Sequence, residues 1–164
     1  MDKETFLIKI KSAVNTFYKK DFKLIELKVG ERTLGHRVAL YLEPLFEDYN
    51  VDCEYNRHGS EIKILPGISK YGGRRNTDRI YPDIVIHQRG LDSDNLAVIE
   101  LKVRRKKSTS DIYDKKKLEL MTRKRHGSYM YDFGLFLDFY EKEYNLTLFP
   151  DREAPFSRTI PIKR

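Results

Sequence analysis

Apolar residues in the first fifty positions recur at the spacing of α-helices. The first set predicts an N-terminal helix over residues 4–19, and the second predicts a helix from Glu31 to Asp48 that Pro44 limits or kinks. Between the two, residues 22–29 alternate weakly and are interpreted as a short strand or a connector. The first set comprises Phe6, Ile10, Ala13, Val14 and Phe17, and the second comprises Leu34, Val38, Leu42 and Leu45.

From residue 51 onward the pattern changes to the two-residue period of β-strands. It predicts strands at 51–58, 80–87, 96–103, 129–140 and 144–149, and a shorter one at 62–65. Gly90 and the nearby aspartates predict a hairpin turn between the strands at 80–87 and 96–103. Asp111 is the predicted N-cap of a helix that runs to about Arg125. The tail, residues 150–164, contains three prolines and is predicted to be irregular, although Thr159 to Ile162 could add to a sheet edge.

The order of these elements predicts one α/β domain spanning residues 1–164. Helices that precede, interrupt and flank strands are typical of a mixed central β-sheet with helices on its faces. A chain of 164 residues, 40% of them hydrophobic, is of the size that a single core serves.

The composition favours a polyanionic partner and no membrane. The formal net charge is +7, and nucleic acid is the first polyanion to consider. No apolar run approaches the length of a membrane span. The acidic start, Met1 to Glu4, does not resemble a signal peptide, and the lone Cys53, expected in the core, cannot form an internal disulfide. A cytoplasmic location is therefore the expectation.

Charged residues interrupt two of the apolar strands. Asp83 follows Tyr81-Pro82 at the start of one strand, and Glu100 and Lys102 lie in the next, within the segment Leu96 to Val103. Burying a charge is costly unless it is paired or bound to a metal. Because side chains alternate across a strand, Glu100 and Lys102 share one face. If the two strands pair as a hairpin, Asp83 and Glu100 can meet there.

Glu31 adds a third acid to this set. It lies at the N-terminal end of the apolar stripe of the second helix, so its carboxylate is expected to point inward. Three converging carboxylates form a hard-oxygen site suited to Mg²⁺ or Mn²⁺. A neighbouring lysine can position a water molecule or stabilise the charge that develops on a phosphate.

The residues Pro82-Asp83 and Glu100-Leu101-Lys102 resemble the PD-(D/E)xK signature of the restriction-endonuclease-like nucleases. The order of elements from Glu31 to Tyr140 resembles the α-β-β-β-α-β core of that superfamily. The resemblance implies a restriction-endonuclease-like fold and a Mg²⁺-dependent (or Mn²⁺-dependent) nuclease that hydrolyses DNA. It also implies that Asp83 and Glu100 bind the metal and that Lys102 serves the attacking water. Glu31 would complete the metal site or orient that water.

Basic residues near these positions are candidate contacts for a DNA backbone. Lysine and arginine supply sequence-independent, salt-dependent affinity for phosphate. One group lies in the loop before Asp83, and the other follows Lys102 along the chain. The candidates are Arg74, Arg75, Arg104, Arg105, Lys106, Lys107 and Lys115.

Several alternatives are compatible with the same residues. Glu31 could be a first-turn acid that offsets the helix dipole, and Glu100 with Lys102 could be a solvated surface pair. The domain could then be a catalytically inactive nucleic-acid-binding or assembly module on the same fold, or an enzyme acting on another phosphate ester. The sequence is compatible with duplex or branched DNA as the substrate, and with either a homodimer or a separate targeting protein.

Overall fold

The computed structural model describes residues 1–59, 61–65, 79–91, 94–104, 111–123, 129–150 and 153–162. Its architecture is mixed α/β, with helices on both faces of a six-stranded mixed sheet. The helices are α1 (Lys3–Glu26), α2 (Glu31–Leu42) and α3 (Ile112–Thr122), and a short 3₁₀ turn, Glu43–Leu45, follows α2. None of the described helices combines the length and the apolar character needed to cross a bilayer.

The strands of the central sheet are arranged in the order β1-β4-β5-β6-β7-β8. All neighbours are antiparallel except β5 and β6, which are parallel. A separate two-stranded hairpin is formed by β2 and β3. The bounds are β1 Asn50–Cys53, β2 Arg57–His58, β3 Glu61–Ile62, β4 Ile84–His87, β5 Asn95–Val103, β6 Phe133–Phe139, β7 Glu143–Pro150 and β8 Phe156–Pro161.

The two faces of the sheet bury separate apolar clusters. The larger cluster packs α1 and α2 against residues such as Ile84, Ile99 and Leu101. The smaller cluster packs α3 against Val85 and Val98, among others. Because β5 is covered on both faces, its first seven residues are all buried. A central strand of this kind is expected to read as a continuous apolar run, and Glu100 is the acid within it.

A glycine sets the distance between α3 and the sheet. A Cβ added to Gly134 on β6 would lie 3.1 Å from Thr122 Cγ2 and 3.2 Å from Leu118 Cβ. The helix can therefore approach the strand closely only because this position lacks a side chain. The same approach brings the N-terminal half of α3 close to β5.

Three predictions about elements need correction. Residues 22–26 continue α1 past a break in helical geometry at Asp21, whose carboxylate accepts hydrogen bonds from Arg37 and Tyr41 of α2. The tail expected to be irregular contributes β8, because the outward edge of a sheet tolerates the missing N–H of Pro161. Asp111 precedes α3, but its carboxylate pairs with Arg104 and makes no capping hydrogen bond.

Candidate functional site

The strands that carry the motif pair as an antiparallel hairpin, as predicted. Ile84 faces Ile99 and Val85 faces Val98, so the next position in this register sets Asp83 against Glu100. Asp83 lies just before the first residue of β4, and its Oδ2 accepts a hydrogen bond from the Leu101 amide at 2.9 Å. At this end of the hairpin, the Leu101 amide thus donates to the Asp83 side chain and not to a backbone carbonyl. This hydrogen bond fixes the Asp83 carboxylate beside Glu100.

Glu100 is the most deeply buried acid of the site. Its side chain is 3% exposed and lies on the face of the sheet that α3 covers. Burial raises the pKa of Glu100 to about 8, and the nearby Asp83 charge adds to this effect, while Lys117 opposes it. Lys117 Nζ lies 2.7 Å from Oε1, yet it is poorly directed, and this oxygen makes no hydrogen bond of acceptable geometry. One oxygen of a buried carboxylate therefore has unused acceptor capacity.

Lys102 lies two residues along β5, on the same face as Glu100. Its Nζ donates a hydrogen bond to Glu31 Oε2 at 2.9 Å and lies 3.3 Å from Asp114 Oδ2. Partial burial opposes the charged form of Lys102, but these carboxylates outweigh it and raise the pKa of the ammonium. The side chain therefore carries a positive charge across the neutral range.

Glu31 is the first residue of α2 and reaches the site from the opposite face of the sheet. Its side chain is 42% exposed, so the expectation that the carboxylate points fully inward is wrong. The first turn of a helix lies at the rim of the packed face, which leaves this long side chain free to extend past the end of the sheet to Lys102. Glu31 is therefore the partner of the lysine and forms the solvent-facing side of the site.

Two residues of α3 belong to the site and were not singled out for it from the sequence. Lys117 belongs to a run of three lysines, residues 115–117, yet its side chain is 6% exposed and faces Glu100. Asp114 lies one turn earlier, with its side chain 15% exposed between the two lysines. The helical period of α3 is the sequence feature that could have identified both residues. Leu118 and Met121 are the buried apolar positions of α3, and positions 114 and 117 fall on the same helix face.

A small cavity of about 110 Å³ opens beside Asp83. Glu31 and Gly35 of α2 line one side of it. Cys53, the last residue of β1, and Glu54, which follows it, line another side. Cys53 is exposed, so the prediction that it belongs to the core is wrong. Glu54 is exposed where it borders this cavity, and its carboxylate pairs with Arg32 at 2.6 Å.

The site residues supply oxygen donors of the kind that a divalent cation binds, although not in the arrangement expected from the sequence. Among the described residues, no three His, Cys, Asp or Glu side chains come together as metal ligands, because the lysines are paired with the acids. The donors are nevertheless hard oxygens, and the hairpin register sets Asp83 and Glu100 opposite each other. When all are ionised, four carboxylates oppose two ammonium groups, an excess of two negative charges. These groups are Glu31, Asp83, Glu100, Asp114, Lys102 and Lys117.

The predicted phosphate contacts divide into three groups. Arg104 is 12% exposed and pairs with Asp111 and Asp138, so its guanidinium is already engaged and is a poor candidate for phosphate. Lys115 is half-buried, with its ammonium 5.2 Å from the centre of the Phe136 ring. The remaining candidates lie outside the described residues: Arg74, Arg75, Arg105, Lys106 and Lys107.

A second polar cluster lies at the other end of β4, on the same face of the sheet. Asp52 of β1 accepts hydrogen bonds from His87 at 3.0 Å and from both nitrogens of the Arg89 fork, at 2.7 and 2.5 Å. The Arg89 hydrogen bonds, followed by that of His87, hold the pKa of Asp52 below its usual range. Desolvation lowers the pKa of His87, which is 3% exposed and packs at a tilted angle against the ring of Tyr55. Each charge in this cluster has a well-directed partner.

Comparison of the chain with protein-family models, with curated proteins and with solved structures found no match. The candidate site is therefore defined by the chain's own geometry. Its features are a hairpin that sets Asp83 against Glu100, a lysine on the same face, and a buried carboxylate oxygen without a hydrogen bond.

Proposed function

We propose that the chain is a Mg²⁺-dependent nuclease of the restriction-endonuclease-like type that hydrolyses DNA phosphodiester bonds. The observation that carries this proposal is the pair Asp83 and Glu100, set opposite each other on a buried hairpin with one oxygen of Glu100 lacking a hydrogen bond. A stable fold gains little from this arrangement, because the desolvation of a buried carboxylate and a buried ammonium offsets the attraction of their ion pair unless its geometry is good. The arrangement is better explained by a ligand that this oxygen binds.

The order of elements supports the same proposal. From α2, the chain runs through β1, β4 and β5, then through α3 to β6, which is parallel to β5. With the β2-β3 hairpin as an insertion, this is the α-β-β-β-α-β order that the sequence resemblance implies. Asp83 then lies just before the second strand of that core, and Glu100 lies on the third.

Asp83 and Glu100 are the residues that would hold the cation. When bound, a divalent cation neutralises phosphate charge and polarises the bond that is attacked. Lys102 remains protonated, so it acts as a fixed hydrogen-bond donor and not as a base. Its ammonium can orient the attacking water or stabilise the charge that develops on the phosphate. Glu31 fixes the direction of that ammonium through the hydrogen bond at 2.9 Å.

The cleavage assay that tests this proposal compares the wild type with two single variants. Wild-type protein is expected to cut duplex or branched DNA in Mg²⁺ or Mn²⁺ and to stop in EDTA. Lys102→Met is expected to lose cleavage, whereas Lys116→Met should retain it. Lys116 is the matched control because it is an exposed lysine on α3, paired with Glu119 away from the site. Failure of the wild type to cut any DNA form, or full activity of Lys102→Met, would sink the proposal.

A second candidate is a non-catalytic module of the same fold that binds nucleic acid. One observation favours it: in the described part of the chain Lys102 and Lys117 are paired with acids of the site, and no three-ligand group is formed. Such a module would bind DNA with an affinity that falls steeply with salt, and Mn²⁺ would not change it. If the protein cleaves a small phosphoester and not DNA, it is instead an enzyme that acts on another phosphate ester.

A further inference from the structure

Lys117 occupies an unusual position for a lysine. Its side chain is 6% exposed, and its ammonium lies 2.7 Å from Glu100 Oε1. The ring of Tyr113, one turn earlier on α3, lies beneath the same ammonium at 5.9 Å from its centre. Burying an ammonium and a carboxylate together removes both from water, and their attraction offsets this loss only when the geometry is good. Here the contact is close but poorly directed.

Asp114 lies between the two lysines of the site. One of its oxygens, Oδ2, is 3.3 Å from Lys102 Nζ, and the other, Oδ1, is 4.0 Å from Lys117 Nζ. It is on the same helix as Lys117, three residues earlier, so the two side chains are neighbours on one face. A small rotation of the Lys117 side chain would bring its ammonium to Asp114 without moving the backbone.

The oxygen that Lys117 approaches is the one that Glu100 would offer to a cation. An ammonium and a divalent cation at the same oxygen repel each other, by several kcal/mol at contact distance even with strong screening. Binding of a cation therefore requires Lys117 to move away from Glu100. Among the described acids around Lys117, Asp114 is the other carboxylate that contacts it within ion-pair distance.

We propose that Lys117 is a positioning residue that stands in for the cation at Glu100 and moves to Asp114 when a divalent cation binds. Asp114 is then the residue that receives the displaced ammonium. Lys117 then stays paired in both states, and the two positive charges of the cation offset the excess of two negative charges that the site carries when all its groups are ionised. The inference rests on the proposed metal-binding function, and it adds two residues of α3 to a site that the sequence resemblance confined to Glu31 and the hairpin.

A double-mutant cycle on Mn²⁺ affinity tests this exchange, since coupling between two residues appears as non-additivity. Calorimetric titration at one fixed pH would compare the wild type with Asp114→Asn, Lys117→Met and the double variant. Asp114→Asn is expected to weaken Mn²⁺ binding about tenfold, because the displaced ammonium loses its acceptor; that factor corresponds to about 1.4 kcal/mol. In the Lys117→Met background the same change is expected to cost less than about threefold, since no ammonium is displaced there.

The matched control is the Lys116 and Glu119 pair on the exposed side of the same helix. These side chains are also three residues apart and lie at 3.0 Å, so Lys116→Met and Glu119→Gln remove the same kinds of charge from α3. Both are expected to change Mn²⁺ affinity less than twofold. Equal losses on Asp114→Asn in the two backgrounds, or no loss in the wild-type background, would overturn the exchange.

A structural readout separates this inference from the proposed function. In crystals of the wild type with Mn²⁺, the Lys117 ammonium is expected within about 3 Å of Asp114 and away from Glu100. If the wild type binds Mn²⁺ and cuts DNA but the ammonium stays on Glu100, the exchange is wrong and the function stands. If Mn²⁺ binds with the predicted coupling but no DNA is cut, the nuclease proposal is wrong and the exchange stands. A wild type that binds no Mn²⁺ contradicts both.

Discussion

The two ends of the β4-β5 hairpin carry polar clusters of opposite character on the same face of the sheet. At one end, the Asp52 carboxylate accepts hydrogen bonds from His87 and Arg89, so each charged group there has a hydrogen-bonded partner. At the other end, about four residues or 13 Å along the strand, Glu100 is buried with one oxygen lacking a hydrogen bond. The first cluster is explained by stability alone. The second gains little stability from its close but poorly directed ion pair, and under the proposed function it is the end that binds a cation.

The pKa directions express the same difference. Hydrogen bonds lower the pKa of Asp52, so the folded state favours its charged form. Burial raises the pKa of Glu100 to about 8, so the folded state disfavours its charge. Perturbed acids of the second kind, beside a specific charge partner, are typical of functional sites, although structural ion pairs can show the same effect. The following experiments separate the two clusters, beginning with the largest expected effect.

Removal of the Asp83 carboxylate should abolish function with little effect on stability. We expect Asp83→Asn to lower the rate of DNA cleavage about a thousandfold, because an amide is a poor ligand for a hard cation, whereas it can still accept the Leu101 hydrogen bond. The measurement is the single-turnover rate in saturating Mg²⁺. A loss of less than tenfold with an unchanged melting temperature would place the site elsewhere.

The opposite result is expected for the cluster at the other end of the hairpin. Asp52→Ala should lower the free energy of unfolding by about 2–3 kcal/mol, because buried His87 loses its acceptor and Arg89 loses both of its hydrogen bonds. Cleavage at a temperature where the variant is folded should remain within a few fold of the wild-type rate. Urea unfolding monitored by circular dichroism gives the first quantity. Loss of cleavage in a folded variant would contradict the assignment of the Asp52 cluster to stability alone.

Glu100→Gln should not destabilise the metal-free protein, and its advantage should grow with pH. Glu100 has a folded-state pKa of about 8 against an ordinary value of 4.5, so the folded protein holds a proton that the unfolded chain releases. Stability from this residue is therefore lost as pH rises between these two values. The variant cannot titrate there, so we expect its free energy of unfolding, relative to that of the wild type, to rise by about 4 kcal/mol between pH 4.5 and pH 8 in EDTA. A variant that is less stable at every pH would contradict this account of Glu100.

Glu31→Gln should have the smallest effect of the series. Its side chain is 42% exposed and acts through Lys102, so we expect cleavage to slow about tenfold and stability to change by less than about 0.5 kcal/mol. Arg32→Ala, which removes an exposed ion pair with Glu54 at the same cavity, is the control and should change neither quantity. A loss as large as that of Asp83→Asn would make Glu31 a direct ligand.

Much of the fold could be predicted because the patterns are strong where the elements are long or central. The continuous apolar run of β5 and the stripes of α1 and α2 each correspond to an observed element. The edge strand β8 was missed because an edge buries little, and prolines suggested irregular chain. Residues 22–26 were misread because a helix that bends at Asp21 interrupts the apolar period.

The site could be predicted from the sequence only along the strands. Alternation placed Glu100 and Lys102 on one face, and the turn at Gly90 predicted the hairpin that sets Asp83 against Glu100. Strand alternation could not predict which acids Lys102 and Lys117 pair with. Whether a lysine of α3 faces water or the sheet depends on how closely the helix docks, and that distance is set by Gly134, on a different strand.

The central claim is that the hairpin end with Asp83 and Glu100 binds a divalent cation and the other end does not. Calorimetric titration with Mn²⁺ tests it most directly, with Glu100→Gln and Asp52→Asn measured beside the wild type under the same conditions. The account predicts that the wild type and Asp52→Asn bind Mn²⁺ with the same affinity and that Glu100→Gln binds at least about a hundredfold more weakly. Equal Mn²⁺ binding by the wild type and Glu100→Gln, or no binding by the wild type, would contradict it.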